Sequence, residues 1–232
     1  MFIGHLGAGL ALKKFDKKTN LAWFFVSVLF LDLLLWILVL FGIEKVVIPA
    51  NFENLHYLKF IFPYSHSLIA TVAWSILVYV ATDVITKRRK TAVLLGLGVF
   101  SHYLFDFIVH PPDLSVLGDN SMLIGLGLWN HMYIALSVEL LFYFIGLFIY
   151  LRETKGISFS GKYGVYIFST ILVAAAFISQ LLSPQPHNGN EVAGSALLSI
   201  LLVILISFWI DRKRVPVDSP AEKFSEKIQP HN

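Results

Sequence analysis

Cysteine is missing from this sequence of 232 residues, and charged residues are scarce. Without cysteine, neither a disulfide nor a thiolate metal ligand can form. Only 14% of the residues are charged and 56% are hydrophobic, whereas a soluble domain has about a quarter charged residues and about 45–50% apolar ones. The net charge of +3 is small and gives no reason to expect a nucleic-acid partner. The composition favours a protein whose main partner is the lipid bilayer.

The hydrophobic residues are gathered in six long blocks that have no polar face. Each block is roughly 18–23 residues long, about the length that a helix needs to cross the hydrocarbon core. The blocks are 20–41, 67–85, 91–109, 129–151, 163–182 and 192–210. They predict an all-α, polytopic membrane protein with about six transmembrane helices.

Lysine and arginine are absent from all six blocks and collect in alternate connecting segments. Basic clusters occupy 13–18, 87–90, 152–162 and 212–214, whereas the intervening loops carry only Lys45 and Lys59. The positive-inside rule therefore predicts a cell-membrane protein with both termini in the cytoplasm. We expect a single integral membrane domain over 1–214 and a polar cytoplasmic tail over 215–232.

Several ionisable residues lie deep inside the blocks. Asp32, His102, Asp106 and Glu139 are the deepest, and each costs roughly 2.5–3.5 kcal/mol on insertion scales. With no lysine or arginine at matching depth, the carboxylates are either protonated or arranged around a cation from outside the chain. Neutral imidazole is a common metal ligand, so the histidine favours a bound divalent metal.

Helical geometry extends this group of residues. His102, Asp106 and His110 are four residues apart and share one helix face, and His66 begins the second span at its outer end. The segment 2–12 is too short to cross the bilayer and predicts a short re-entrant or interfacial helix. A re-entrant helix would raise His5 about 12 Å into the membrane, toward Asp32 and His102.

Each of these residues also has a purely structural interpretation. Asp32 can be protonated, Glu139 can bond a neighbouring helix, and His102 with Asp106 can fix helix packing. His5 and His66 can be ordinary residues of the membrane boundary. A metal site requires instead that these side chains converge.

Four short motifs resemble the YdjM-like family of membrane-bound metal-dependent hydrolases, which is distantly similar to zinc-dependent phospholipase C. The motifs are Gly4-His5, Leu31-Asp32, His66-Ser67-Leu68, and the run from Gly98 to Asp106 that contains Ser-His-x-x-x-Asp. They cover roughly residues 1–140. The chain departs from the family where Leu33 to Leu35 replace a second aspartate and where Ser65 replaces a threonine.

The resemblance implies the members of a metal site. The implied metal ligands are His5, Asp32, His66, His102 and Asp106, with His110 and Glu139 as further members. The blocks over 163–210 then serve as scaffold helices. Because the family's second aspartate is missing, one or two metals are expected instead of three.

The resulting hypothesis is a membrane-embedded metal-dependent hydrolase that acts through a metal-activated water on a lipid or phosphoester. Zinc is the preferred metal, with manganese or iron as alternatives. Asp32, or alternatively Glu139, is the candidate general base. The competing hypothesis is a proton or metal-ion transporter that uses the same cluster. A transporter needs polar groups that reach both sides of the membrane, whereas a hydrolase needs access from one side.

Overall fold

The computed structural model describes residues 2–119 and 121–217, and most of them are helical. The helices are α1 (Phe2–Leu12), α2 (Leu21–Val28), α3 (Phe30–Leu40), α4 (Phe52–Leu55), α5 (Leu68–Thr86), α6 (Arg89–Val109), α7 (Met132–Glu153), α8 (Phe159–Leu181) and α9 (Gly189–Asp211). The described residues also form six short strands, which pair into three two-stranded antiparallel sheets: β1 (Lys45–Val47) with β2 (Lys59–Ile61), β3 (Leu114–Ser115) with β4 (Leu123–Ile124), and β5 (Thr154–Gly156) with β6 (Arg214–Pro216).

The long helices are those of a membrane protein. In the part of the chain that the structure describes, five helical segments are long and apolar enough to cross a bilayer, and the bent pair α2–α3 makes a sixth if it counts as one span. Hydrophobic side chains cover the outside of the bundle, as on α5, where Thr71 is the one buried residue. The prediction of an all-α, polytopic membrane protein is confirmed.

The first predicted span is a broken helix. It divides into α2 and α3 at Leu29, and the two axes are bent by 55°. No proline or glycine in 21–40 marks the break. In a continuous helix the Val28 carbonyl would accept the N–H of Asp32; here it accepts Nδ1 of His102 at 2.6 Å. The bond therefore joins the end of α2 to α6.

Helix α1 lies inside the bundle, where it packs mainly against α7 and α2. Seven of its eleven residues, His5 among them, are buried. Gly7 and Gly146 make this contact possible, because a Cβ at either position would overlap the backbone of the other helix. This packing carries His5 into the interior of the bundle.

Three ion pairs connect the segments that carry the basic clusters at one end of the bundle. Lys13 contacts Asp211 at 2.8 Å, at the end of α9, and Lys17 contacts Glu153 at 2.6 Å, at the end of α7. Arg88, between α5 and α6, contacts Asp16 at 3.0 Å. We call the end of the bundle that carries Lys13, Lys17 and Arg88 the basic end.

The end of the chain is described only in part. Residues 215 and 216 belong to β6, which pairs with β5 near the end of α7. The remainder of the predicted tail, 218–232, lies outside the described residues.

Candidate metal site

Helix α6 supplies two of the central side chains. His102 and Asp106 are four residues apart on its buried face, and Nε2 of His102 lies 3.1 Å from Oδ2 of Asp106. Both side chains are almost fully buried. His102 is fixed by its bond to the Val28 carbonyl.

The start of α5 brings His66 to the same point. Ser67 caps this helix by accepting the N–H of Ala70, so His66 directly precedes the cap. Nε2 of His66 lies 3.2 Å from Nε2 of His102 and 3.5 Å from Oδ2 of Asp106.

Asp32 approaches from the first turn of α3, just beyond the helix break. Its Oδ1 lies 3.7 Å from Nε2 of His66 and 3.7 Å from Nε2 of His102. The Asp32 side chain is 20% exposed, whereas those of His66, His102 and Asp106 are at most 3% exposed. Asp32 is therefore the accessible carboxylate of the group.

His5 lies beside this group. Its ring stacks on that of His102, with centroids 3.8 Å apart and planes 9° apart. Nε2 lies 3.2 Å from Oδ1 of Asp106, while Nδ1 is buried and has no hydrogen-bond partner among residues 2–119 and 121–217.

Within residues 2–119 and 121–217, two sets of three residues have ligand atoms close enough to hold one metal ion. They are His5, Asp32 and His102, and His66, His102 and Asp106. His102 is common to both. We call the five residues of these sets the His/Asp cluster.

The hydrogen bonds of two imidazoles decide where their lone pairs point. A carbonyl can only accept, so the bond to Val28 puts a proton on Nδ1 of His102 and, in the neutral ring, a lone pair on Nε2. Nδ1 of His66 lies 2.7 Å from Oγ of Ser65, whose hydroxyl donates to Glu44. Nδ1 of His66 therefore donates as well, and its Nε2 also carries a lone pair.

Four electron-pair donors consequently face one another. They are Nε2 of His66, Nε2 of His102, Oδ1 of Asp32 and Oδ2 of Asp106, and each of the two imidazole nitrogens lies 3.1–3.7 Å from the other three atoms. In a tetrahedral zinc site with bonds of about 2.0–2.1 Å, neighbouring ligand atoms are about 3.3–3.4 Å apart. The residues present fit a divalent metal and could bind one.

The structure holds His110 and Glu139 at the margin of this group. Nε2 of His110 lies 3.8 Å from Oδ1 of Asp106, and its Nδ1 lies 3.0 Å from Oδ1 of Asp113. Glu139 accepts the backbone N–H groups of Ile3 and Gly4 at the start of α1. Glu139 thus caps a helix, as its structural interpretation allows.

Sequence reasoning missed Glu44 and gave Ser65 no role of its own. Glu44 follows α3 in a connecting segment, is 1% exposed, and contacts Ser65. Burial is the largest influence on the Glu44 carboxyl and raises its pKa. A lone glutamate in a loop carries no pattern that distinguishes it from a solvated residue, so no sequence signal could have found it.

Comparison with known proteins adds no assignment. No family model matches the chain, and no curated protein or solved structure matches it. The chemistry of the cluster therefore rests on its own geometry.

Proposed function

We propose that the His/Asp cluster binds a divalent metal and that the protein is a membrane-embedded hydrolase, with zinc preferred over manganese or iron. The observation that carries the proposal is the set of four facing electron-pair donors, two of them imidazole nitrogens 3.2 Å apart. His66, His102 and Asp106 would supply two nitrogen ligands and one oxygen ligand, a set that zinc accepts, and would leave its fourth position open for a water beside Asp32. A metal bound there supplies an activated water for hydrolysis.

The burial of each carboxylate suggests its role. Asp106 is buried and contacts four imidazoles, which suits a residue that holds the metal. Asp32 is the more exposed carboxylate and suits a general base that takes a proton from the attacking water. Glu139 is less suited to that role, since its carboxylate accepts two backbone N–H groups.

Polar groups extend from the cluster toward one end of the bundle. His110 with Asp113, and Ser65 with Glu44, lie beyond the cluster on the side away from the basic end. On the opposite side, the buried polar side chains include the neutral hydroxyls of Thr71 and of Ser27, which donates to the carbonyl of Phe24 in its own helix. The ionisable groups extend to one side, which favours a hydrolase over the alternative of a proton or metal-ion transporter.

The substrate class and orientation complete the proposal. A site at this depth suits an amphiphile, and the resemblance to the YdjM-like hydrolases favours a phosphoester lipid. The basic end would face the cytoplasm of a cell membrane under the positive-inside rule, which would open the cluster toward the outer side.

Turnover of a phosphoester lipid by purified protein in detergent tests this function. We expect hydrolysis that stops with chelator, resumes with added zinc, and falls at least 100-fold in Asp32→Asn, the size of a general-base contribution. Asp83→Asn, at the basic end of α5, is the matched control and should retain activity. Zinc uptake into proteoliposomes without any turnover would favour the transporter instead.

A further inference from the structure

Glu44 makes three hydrogen bonds to the segment that leads into α5. Its Oε1 accepts the backbone N–H groups of Tyr64 at 2.9 Å and Ser65 at 2.8 Å. Its Oε2 accepts the hydroxyl of Ser65 at 2.7 Å. The carboxylate therefore fixes both the backbone of this turn and the direction of the Ser65 hydroxyl.

The direction of the Ser65 hydroxyl determines which ring nitrogen of His66 carries the proton. A serine hydroxyl has a single proton, and here the proton points to Glu44. Oγ can then only accept from Nδ1 of His66, 2.7 Å away. The proton stays on Nδ1, and Nε2 presents a lone pair toward His102 and Asp106.

We propose that Glu44 is a positioning residue that acts through Ser65 to hold His66 in the tautomer whose Nε2 can bind a metal. The proposal rests on the proposed metal site. Glu44 would act on His66 as the Val28 carbonyl acts on His102, where a backbone acceptor fixes the proton on Nδ1. Outer partners of this kind commonly orient a metal-binding histidine.

Glu44 could instead hold only the turn, and a glutamine at this position separates the two roles. The glutamine carbonyl can still accept the N–H groups of Tyr64 and Ser65, so the turn keeps its bonds. The amide N–H₂ would now donate to Oγ of Ser65. The Ser65 hydroxyl would then donate to Nδ1 of His66 and leave the proton on Nε2, where it blocks the metal.

The experiment compares the full-length wild type with Glu44→Gln in detergent. The tautomer of His66 is read from ¹⁵N chemical shifts of the metal-free protein, with His66→Gln used to assign the signal. Zinc affinity is read by competition with a chelator. We expect a shift of the proton from Nδ1 to Nε2 and 10–100-fold weaker zinc binding, with the unfolding temperature of the metal-free protein unchanged.

Variants of Ser65 provide the matched pair. Ser65→Thr keeps the hydroxyl and should retain the tautomer and the affinity, whereas Ser65→Ala should lose the fixed tautomer. The proposal is overturned if Glu44→Gln leaves the proton on Nδ1, whatever its zinc affinity. If the wild type binds no zinc, the proposed function fails, yet the tautomer measurement still decides the role of Glu44.

Discussion

The basic end and the His/Asp cluster stabilise buried carboxylates in two different ways. At the basic end, Asp211 and Asp16 contact Lys13 and Arg88. In the cluster, Asp32 and Asp106 contact imidazole rings, two of which turn lone pairs toward each other. Lysine and arginine are permanent charges, whereas neutral imidazole is a metal ligand. The difference indicates that the two ion pairs of the basic end, which we call the clamp, have a structural role. The cluster, in contrast, is suited to bind a cation.

Breaking the clamp should have the largest effect on stability. Lys13→Met leaves the buried carboxylate of Asp211 without its ammonium partner, and loss of one member of a buried pair costs about 3–5 kcal/mol. The free energy of unfolding should fall by that amount, while the metal content of the folded protein stays unchanged. Lys14→Met, at an exposed neighbour, is the control. Equal stability of Lys13→Met and wild type would show that the ion pair is not a clamp.

A lysine placed in the cluster should make the stability of the protein independent of bound metal. In His66→Lys, the new ammonium replaces the metal between Asp32 and Asp106. Chelator should destabilise the wild type by about 2.7 kcal/mol when zinc is at 100 times its Kd, and should leave the unfolding temperature of His66→Lys unchanged. His131→Lys, at an exposed histidine, should respond as the wild type does. A chelator effect of wild-type size in His66→Lys would refute this account.

The smallest expected effect is the pH dependence of the clamp. Burial raises the pKa of Asp16, but hydrogen bonds from Thr19 and Thr91 and the charge of Arg88 outweigh it and hold the pKa below its usual value. The stabilisation is therefore present above about pH 4 and is lost as the pH falls through the lowered pKa. Hydrogen bonds to a charged group contribute on the order of 1.5 kcal/mol.

Thermal unfolding of wild type and Asp16→Asn from pH 7 to pH 3 measures this contribution. The wild type should be more stable at pH 7, and the difference should shrink at the acidic limit. A difference that stays constant to pH 3 would exclude the ionised Asp16 carboxylate as its source.

Hydropathy and charge were enough to predict most of the fold. The block 91–109 anticipates α6 to within two residues, because a lipid-facing helix must be apolar along its whole length. The break at Leu29 could not be predicted from the sequence, since the residues immediately around it are apolar. At the break, the Val28 carbonyl accepts from His102 of a distant helix, a contact that only the folded structure shows.

Residues of the cluster could be predicted where an ionisable side chain lies deep in a span and is therefore costly to insert into the membrane. His102 and Asp106 could be proposed because nothing else explained ionisable groups at that depth. Glu44 is separated from Asp32 by a helix end and a loop, and only the folded turn before α5 brings it to Ser65. Glu139 shows the reverse case, a deep carboxylate whose bonds to the start of α1 give it a structural role.

Elemental analysis of the purified protein tests the central claim most directly. The comparison is between wild type, His102→Ala and Asp106→Ala, with His187→Ala, an exposed loop histidine, as the control. The account predicts a divalent metal in the wild type and the control, and its loss in the two cluster variants. Equal, near-zero metal in all four proteins would contradict it.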